Sequence, residues 1–190
     1  MNNDDSLIGN ELDIFRNDGF SNWFNLNDTI MGGSSVANCF TKDEGLHMEG
    51  VLIEEGGGFI SCKSPYFKNE LDLSTFKGIK LEIDGFGRIF KLAISCNKNY
   101  FGIPGLNINR IRWVSLIPTE LDSTTLIKIP FREFKPALRA KPVLLPLPLN
   151  TSRIREFQLL YSKFGMPGKL NPEFTPGNIK VILRSISAYS

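Results

Sequence analysis

The side chains best equipped for chemistry in this 190-residue chain are few and scattered. There are three cysteines, Cys39, Cys62 and Cys96, and a single histidine, His47. The cysteines form no Cys-x-x-Cys pair, so the ligand spacing of a zinc site is missing. Buried, reduced thiols are the plainer reading of all three, ahead of a Cys–His nucleophile pair. Glu54 and Glu55 are adjacent in a strand-like run, where they face opposite sides and cannot act as a carboxylate pair. Gly56-Gly57-Gly58 invites a phosphate-loop reading, yet a strand-like FISCK follows it and the two glutamates precede it. Phosphate binding of that kind needs glycines that feed a helix N-terminus, and two carboxylates repel the ligand. The glycine run therefore reads as a tight hairpin requiring positive φ, and Gly85-Phe86-Gly87 as a similar turn between strands. The expectation is a protein that is not an enzyme, with no cofactor and no metal.

The stretch LNDTIMGGSS at residues 26–35 is the most informative loop. Asn27 and Asp28 are residues that bond to backbone amides two positions on, as in Asx turns. Gly32 and Gly33 allow backbone shapes closed to other residues, and Met31 offers an adaptable apolar plug. Two readings follow: a structured loop capping one end of a sandwich, or a loop that meets a ligand or partner from a rigid scaffold.

The elements around these pieces have a period of two. Ile79, Leu81 and Ile83 alternate with Lys80, Glu82 and Asp84, and Phe90, Leu92 and Ile94 with Lys91, Ala93 and Ser95. Ile127, Ile129 and Phe131 face away from Lys128, Pro130 and Arg132, and Ile179, Val181 and Leu183 share one side. Each reads as a strand with one buried face. Further strands are expected near 36–41, 46–53, 58–63, 111–117 and 156–162. No amphipathic helix of three turns is evident; short helical turns are expected near 132–134 and 151–153. About ten short strands with Gly, Pro and Asn punctuation predict an all-β sandwich with few or no long helices. Residues 1–12 read as a loose tail and 13–190 as a single sandwich domain, with PVLLPLPLN at 142–150 as an apolar extended connection lying on it.

Hydrophobic residues at 42% and charged residues at 22% are ordinary for a globular chain. No apolar run approaches the roughly 20 residues of a spanning helix, so no integral membrane segment is expected. The acidic start MNNDDSLIGNELD lacks the basic-then-apolar pattern of a leader, which points to a cytosol-like, cytoplasmic compartment. Residues 1–75 carry 4 basic and 13 acidic side chains, and residues 76–190 carry 18 basic and 7 acidic. The run 128–155 holds Lys128, Arg132, Lys135, Arg139, Lys141, Arg153 and Arg155 against Glu133 alone. Such a bias suits RNA or an acidic protein surface, unless strands from the two halves interleave and neutralise one another.

Trp23, NDTIMGGSS (27–35) and GGGFISCK (56–63) together resemble the complex I intermediate-associated protein 30 family. So do DLSTFKGIKLEIDGFGRIFKLAI (72–94), IPFREFKPALRAKPV (129–143) and the C-terminal REFQLLYSKFG and NIKVILRSISAY. The chain departs from the family pattern at Ile30 (usually valine), Phe86 (often aspartate) and Ala140 (glycine). The resemblance implies a galactose-binding-like jelly-roll sandwich without established catalytic residues. It implies a role in assembly of respiratory NADH dehydrogenase, and links related domains in photosynthetic organisms to photosystem biogenesis and RNA binding.

Three functions are weighed against catalysis. The first is a binding module, an assembly factor whose partners are protein subunits of a membrane redox complex. Its candidate surface is Asn27, Asp28, Met31, Gly32 and Gly33, with Arg88 and Arg139 as neighbours. The second is RNA binding through the 128–155 run, with Phe131 and Phe134 alternating with charges as core residues do. The third is carbohydrate binding, for which Trp23 and Trp113 are available although both sit in apolar, strand-like company.

Overall fold

The computed structural model describes residues 11–97 and 110–190. Thirteen strands run in chain order: β1 (Glu11–Arg16), β2 (Phe24–Asn25), β3 (Val36–Lys42), β4 (Gly45–Leu52), β5 (Phe59–Lys63), β6 (Gly78–Asp84), β7 (Ile89–Cys96), β8 (Ile111–Pro118), β9 (Thr125–Pro130), β10 (Lys135–Leu138), β11 (Lys141–Pro142), β12 (Ile154–Ser162) and β13 (Gly177–Tyr189). The helices among the described residues are single 3-10 turns at Asn17–Phe20, Asp28–Met31 and Phe131–Glu133.

The strands form two antiparallel sheets. One has the order β3-β4-β13-β6-β9, with β1 also pairing β13; the other has seven strands in the order β11-β10-β8-β7-β12-β5-β2. β13 is long enough to serve two neighbours on one edge. Gly177–Leu183 pairs with β4, and Ser185–Tyr189 pairs with β1. A bulge between Leu183 and Ser185 shifts the register on β6. It changes the parity of the inward residues, from Ile179, Val181 and Leu183 to Ile186 and Ala188. β12 uses the same device: a register shift between Ile154 and Glu156 puts Phe157, Leu159 and Tyr161 inward and Glu156 and Gln158 outward.

The core lies between the sheets. Phe15 is the hub of an aromatic cluster, with ring centroids 5.1 Å from Trp23, 5.7 Å from Phe20 and Phe67, and 5.9 Å from Phe157. Each such buried ring contributes roughly 1.5–3 kcal/mol. Trp113 is also buried, and its Nε1 donates to the Leu147 carbonyl at 2.9 Å, tying the 142–150 connection to the sandwich. Both tryptophans are thus core residues, as is Phe134.

Several expectations are corrected. Glu11 and Leu12, assigned to a loose tail, pair with Tyr189 and Ala188. Glu54 and Glu55 lie in a turn rather than a strand. The 54–58 connection is not a hairpin, because β4 and β5 belong to different sheets. Gly85–Gly87 likewise passes from β6 in one sheet to β7 in the other. Residues 151–153 form a turn and a bend, without a helix.

The cysteines differ most from expectation. Cys39 on β3 and Cys62 on β5 form a disulfide between the two sheets, with Cα atoms 5.8 Å apart. The 4-to-5 crossover brings two inward-facing positions together that nothing in their sequence spacing announces. Cys96 is buried and outside the disulfide.

The basic run is dispersed by the topology. Lys128 lies over the Tyr189 ring in one sheet, Arg153 pairs with Glu70 at 2.5 Å, and Arg155 lies over Tyr66.

Candidate binding groove

Asp28 joins the two glycine-rich motifs. Its carboxylate is fully buried and accepts four hydrogen bonds. They come from the Ser35 amide at 2.9 Å, the Ser35 hydroxyl at 2.6 Å, the Gly58 amide at 2.7 Å and the Phe59 amide at 3.3 Å. Burial alone would raise its pKa, but these donors outweigh it and hold the carboxyl below its ordinary range. The bonds reach across the sandwich end rather than two residues along the chain, so an Asx turn is not what forms here.

The neighbouring glycines make room for that carboxylate. A Cβ on Gly33 would lie 2.4 Å from the Asp28 side chain, and one on Gly57 would lie 2.3 Å from it. Gly32 ends the 3-10 turn with φ at 89°, where glycine is favoured. Asn27 is buried, and its Nδ2 donates to the Ala37 carbonyl at 3.0 Å. Met31 is not a plug: it is 60% exposed, and Ile30 beside it 64%. The buckle is architecture, and it presents two aliphatic side chains outward.

Those side chains border a groove of about 780 Å³ on the outer face of the seven-stranded sheet. One wall is the 28–31 turn with Gly57–Phe59, and the other is the Arg139–Ala140 turn between β10 and β11. Arg139 occupies that two-residue turn with φ at 57°. The floor comes from β7, β8 and β12, where Ala93 pairs with Val114 and with Gln158, and Lys91 with Leu160. Polar side chains on this face are unusually buried, among them Lys91, Ser95, Glu156, Gln158 and Ser162. β7 therefore has two buried faces, not one.

Charge on the floor is unevenly compensated. Glu156 is held between the Lys63 Nζ and the Arg112 Nη2, each at 2.9 Å. Gln158 donates to the Ser61 hydroxyl at 2.8 Å. Lys91 is 8% exposed, and its side chain makes no hydrogen bond or ion pair with a described residue. Burial depresses its pKa from 10.5 to about 8. Arg110, Arg112 and Arg139 also line the groove, and Asp28 is the sole carboxylate among its described lining residues.

Of the residues expected at a site, Asp28, Met31 and Arg139 line this groove. Asn27, Gly32 and Gly33 build the buckle behind it. Arg88 lies elsewhere, with its Nη1 donating to the Tyr161 hydroxyl and the Thr175 carbonyl at 2.9 Å each, and its Nη2 to the Asn178 carbonyl at 3.2 Å. Lys91, Arg112 and Gln158 were missed. In sequence they are the polar phase of an alternating strand, which looks the same whether it faces bulk water or floors a groove.

Solved structures share the fold. A family 11 carbohydrate-binding module from Clostridium thermocellum, in complex with a β-1,3-1,4-mixed-linked tetrasaccharide, superposes with a TM-score of 0.65 at 17% identity over 96% of both chains. The same family's module in the cellulosomal cellulase Lic26A-Cel5E of that organism gives 0.62 at 17% identity, covering 95% of this chain and 93% of that one. An agarase, AgWH50C, matches at 0.53 and 11% identity over 95% of this chain and 24% of its own. These likenesses establish the jelly-roll sandwich. A search of curated protein sequences found no match. A family model matches residues 12–180, most of the chain, so the protein belongs to the complex I intermediate-associated protein 30 (CIA30) family.

Proposed function

We propose that this chain is a non-catalytic binding module that acts as an assembly factor for a membrane redox complex of the NADH dehydrogenase type, engaging a protein subunit through the groove. The family supplies the link to complex I. The observation that carries the surface is the pairing of exposed Ile30 and Met31 with an uncompensated cation, Lys91, in one concavity. Exposed aliphatic side chains held by a rigid buckle suit a protein partner. The groove's carboxylate, Asp28, is saturated by its four donors and offers no general base. No helix among the described residues is long and apolar enough to cross a membrane. In this reading Met31 and Arg139 touch the partner, while Asn27, Asp28, Gly32 and Gly33 shape the wall.

The test is affinity purification of a tagged full chain from detergent-solubilised native cells, with and without ribonuclease. Recovery of redox-complex subunits in both samples is expected. Recovery of RNA-binding partners that disappear on ribonuclease treatment would replace this reading with RNA binding.

A saccharide-binding reading rests on the fold shared with a module solved in complex with a mixed-linked tetrasaccharide. The described lining of the groove has phenylalanines, Phe59 and Phe164, but no tryptophan or tyrosine to stack on a sugar. Calorimetric titration with that tetrasaccharide tests it, and binding that Lys91 or Met31 substitutions abolish would support it over the protein reading.

A further inference from the structure

Lys91 poses a physical problem. An ammonium group buried on a sheet face without a counter-ion destabilises the fold, and such groups are normally paired or neutralised. The neighbouring floor shows the ordinary solution: Glu156 sits between Lys63 and Arg112. The groups lining Lys91's cavity offer it nothing of the kind. Asp28 is saturated by Ser35, Gly58 and Phe59, and Arg110, Arg112 and Arg139 carry like charge. Among the described residues no counter-charge reaches Lys91, and the cavity around it is open to receive one from outside.

Resting on the protein-partner reading above, we infer that the groove takes an extended acidic peptide segment of the partner. A side-chain carboxylate seats on the Lys91 ammonium, and adjacent apolar residues pack on Ile30 and Met31. Charge complementarity selects an anion: Lys91, Arg110 and Arg139 line the groove beside Arg112, which Glu156 already pairs, and the one lining carboxylate, Asp28, is already satisfied. The rim selects among anions. Its most exposed apolar side chains, Ile30 and Met31, are unbranched or aliphatic and suit leucine- or valine-like neighbours, while Phe164 is its one exposed aromatic among the described residues. The polar phase of β12, with Gln158 and Ser162, offers further hydrogen bonds to an extended backbone.

Fluorescence anisotropy with the full chain tests this. The probes are a capped peptide of alternating glutamate and valine, its glutamine counterpart, polyuridylate and the mixed-linked tetrasaccharide. The glutamate peptide should bind, and should weaken roughly tenfold or more on replacement by glutamine or on Lys91→Met. Lys91→Met removes a buried charge, so it folds at least as stably as the parent, and Lys91→Arg should restore part of the affinity. Equal binding of the two peptides, unchanged binding by Lys91→Met, or a preference for polyuridylate or the tetrasaccharide would overturn the inference. Purification from native cells separates this from the parent reading. If Lys91→Met recovers the same redox subunits as the parent chain, the groove inference fails and the assembly reading stands. If neither chain recovers them while the glutamate peptide still depends on Lys91, the assembly reading fails and the groove inference stands.

Discussion

The Asp28 carboxylate accepts the Gly58 amide proton at 2.7 Å across thirty residues of chain. That bond turns two glycine-rich motifs into one device. The Met-Gly-Gly turn supplies the carboxylate, the Gly-Gly-Gly crossover supplies the amide, and Gly33 and Gly57 are small because the carboxylate stands where their side chains would be. Ile30 and Met31 then face outward at the edge of the groove.

Replacing Asp28 with alanine should destabilise the fold by roughly 2–4 kcal/mol, because it orphans buried amides and a hydroxyl together. The native pKa is held below the unfolded one. The stabilisation is therefore complete above about pH 4 and is lost as pH falls through the lowered native value. Urea melts of the parent chain and Asp28→Asn at pH 7 and pH 3 should show a gap that shrinks in acid. A gap that is the same at both pH values would contradict this role.

Gly57→Ala should destabilise the parent by about 1–3 kcal/mol, since its Cβ would overlap the Asp28 carboxylate at 2.3 Å. In an Asp28→Ala background most of that penalty should vanish. A double-mutant cycle reads the coupling, and strict additivity would refute the steric account.

Lys91→Met should stabilise the protein, by roughly 3 kcal/mol at neutral pH. The native pKa of about 8 lies below the unfolded value of 10.5, so the charged form is the disfavoured one. The penalty is full below pH 8 and fades as pH rises towards 10.5. Asp28, the carboxylate lining the cavity, is held below its ordinary range and stays charged throughout that window. Thermal melts of both chains at pH 7 and pH 10 should therefore converge at the higher pH.

The Cys39–Cys62 bond closes a loop 23 residues long, and removing it should cost about 3 kcal/mol. Alkylation of the denatured protein, purified from native cells without reductant, should label Cys96 alone; added reductant should expose all three thiols. Labelling of all three at once would return the pair to the reduced state expected of a cytosolic protein.

The alternating strands were legible because their apolar phase runs unbroken where it starts: β6, β7, β9 and the first half of β13, up to its bulge after Leu183, lie where Ile79, Phe90, Ile127 and Ile179 begin their patterns. β1 was not, because its register shifts between Asp13 and Phe15 and breaks the period of two. β2 and β11 are two residues each, below any pattern. The interleaving that disperses the basic run was open to sequence reasoning, since strands from both halves pair in each sheet. Only part of the candidate site was legible. The Asn-Asp-Thr-Ile-Met-Gly-Gly turn marked itself by composition, whereas Lys91 carried no mark. It shares its groove with the 28–31 and 139–140 turns, far from it in sequence.

In the proposed role, a protein subunit of a redox complex docks on the groove. The most direct measurement compares tagged parent chain with a Met31→Ser, Arg139→Gly variant in purification from solubilised native cells. Met31 is exposed and glycine suits the φ of 57° at Arg139, so the variant keeps the fold, which circular dichroism checks. The expected result is recovery of NADH dehydrogenase-type subunits by the parent chain, insensitive to ribonuclease, and at least a roughly tenfold loss in the folded variant. Undiminished recovery by the folded variant, or recovery that ribonuclease abolishes, would contradict the claim.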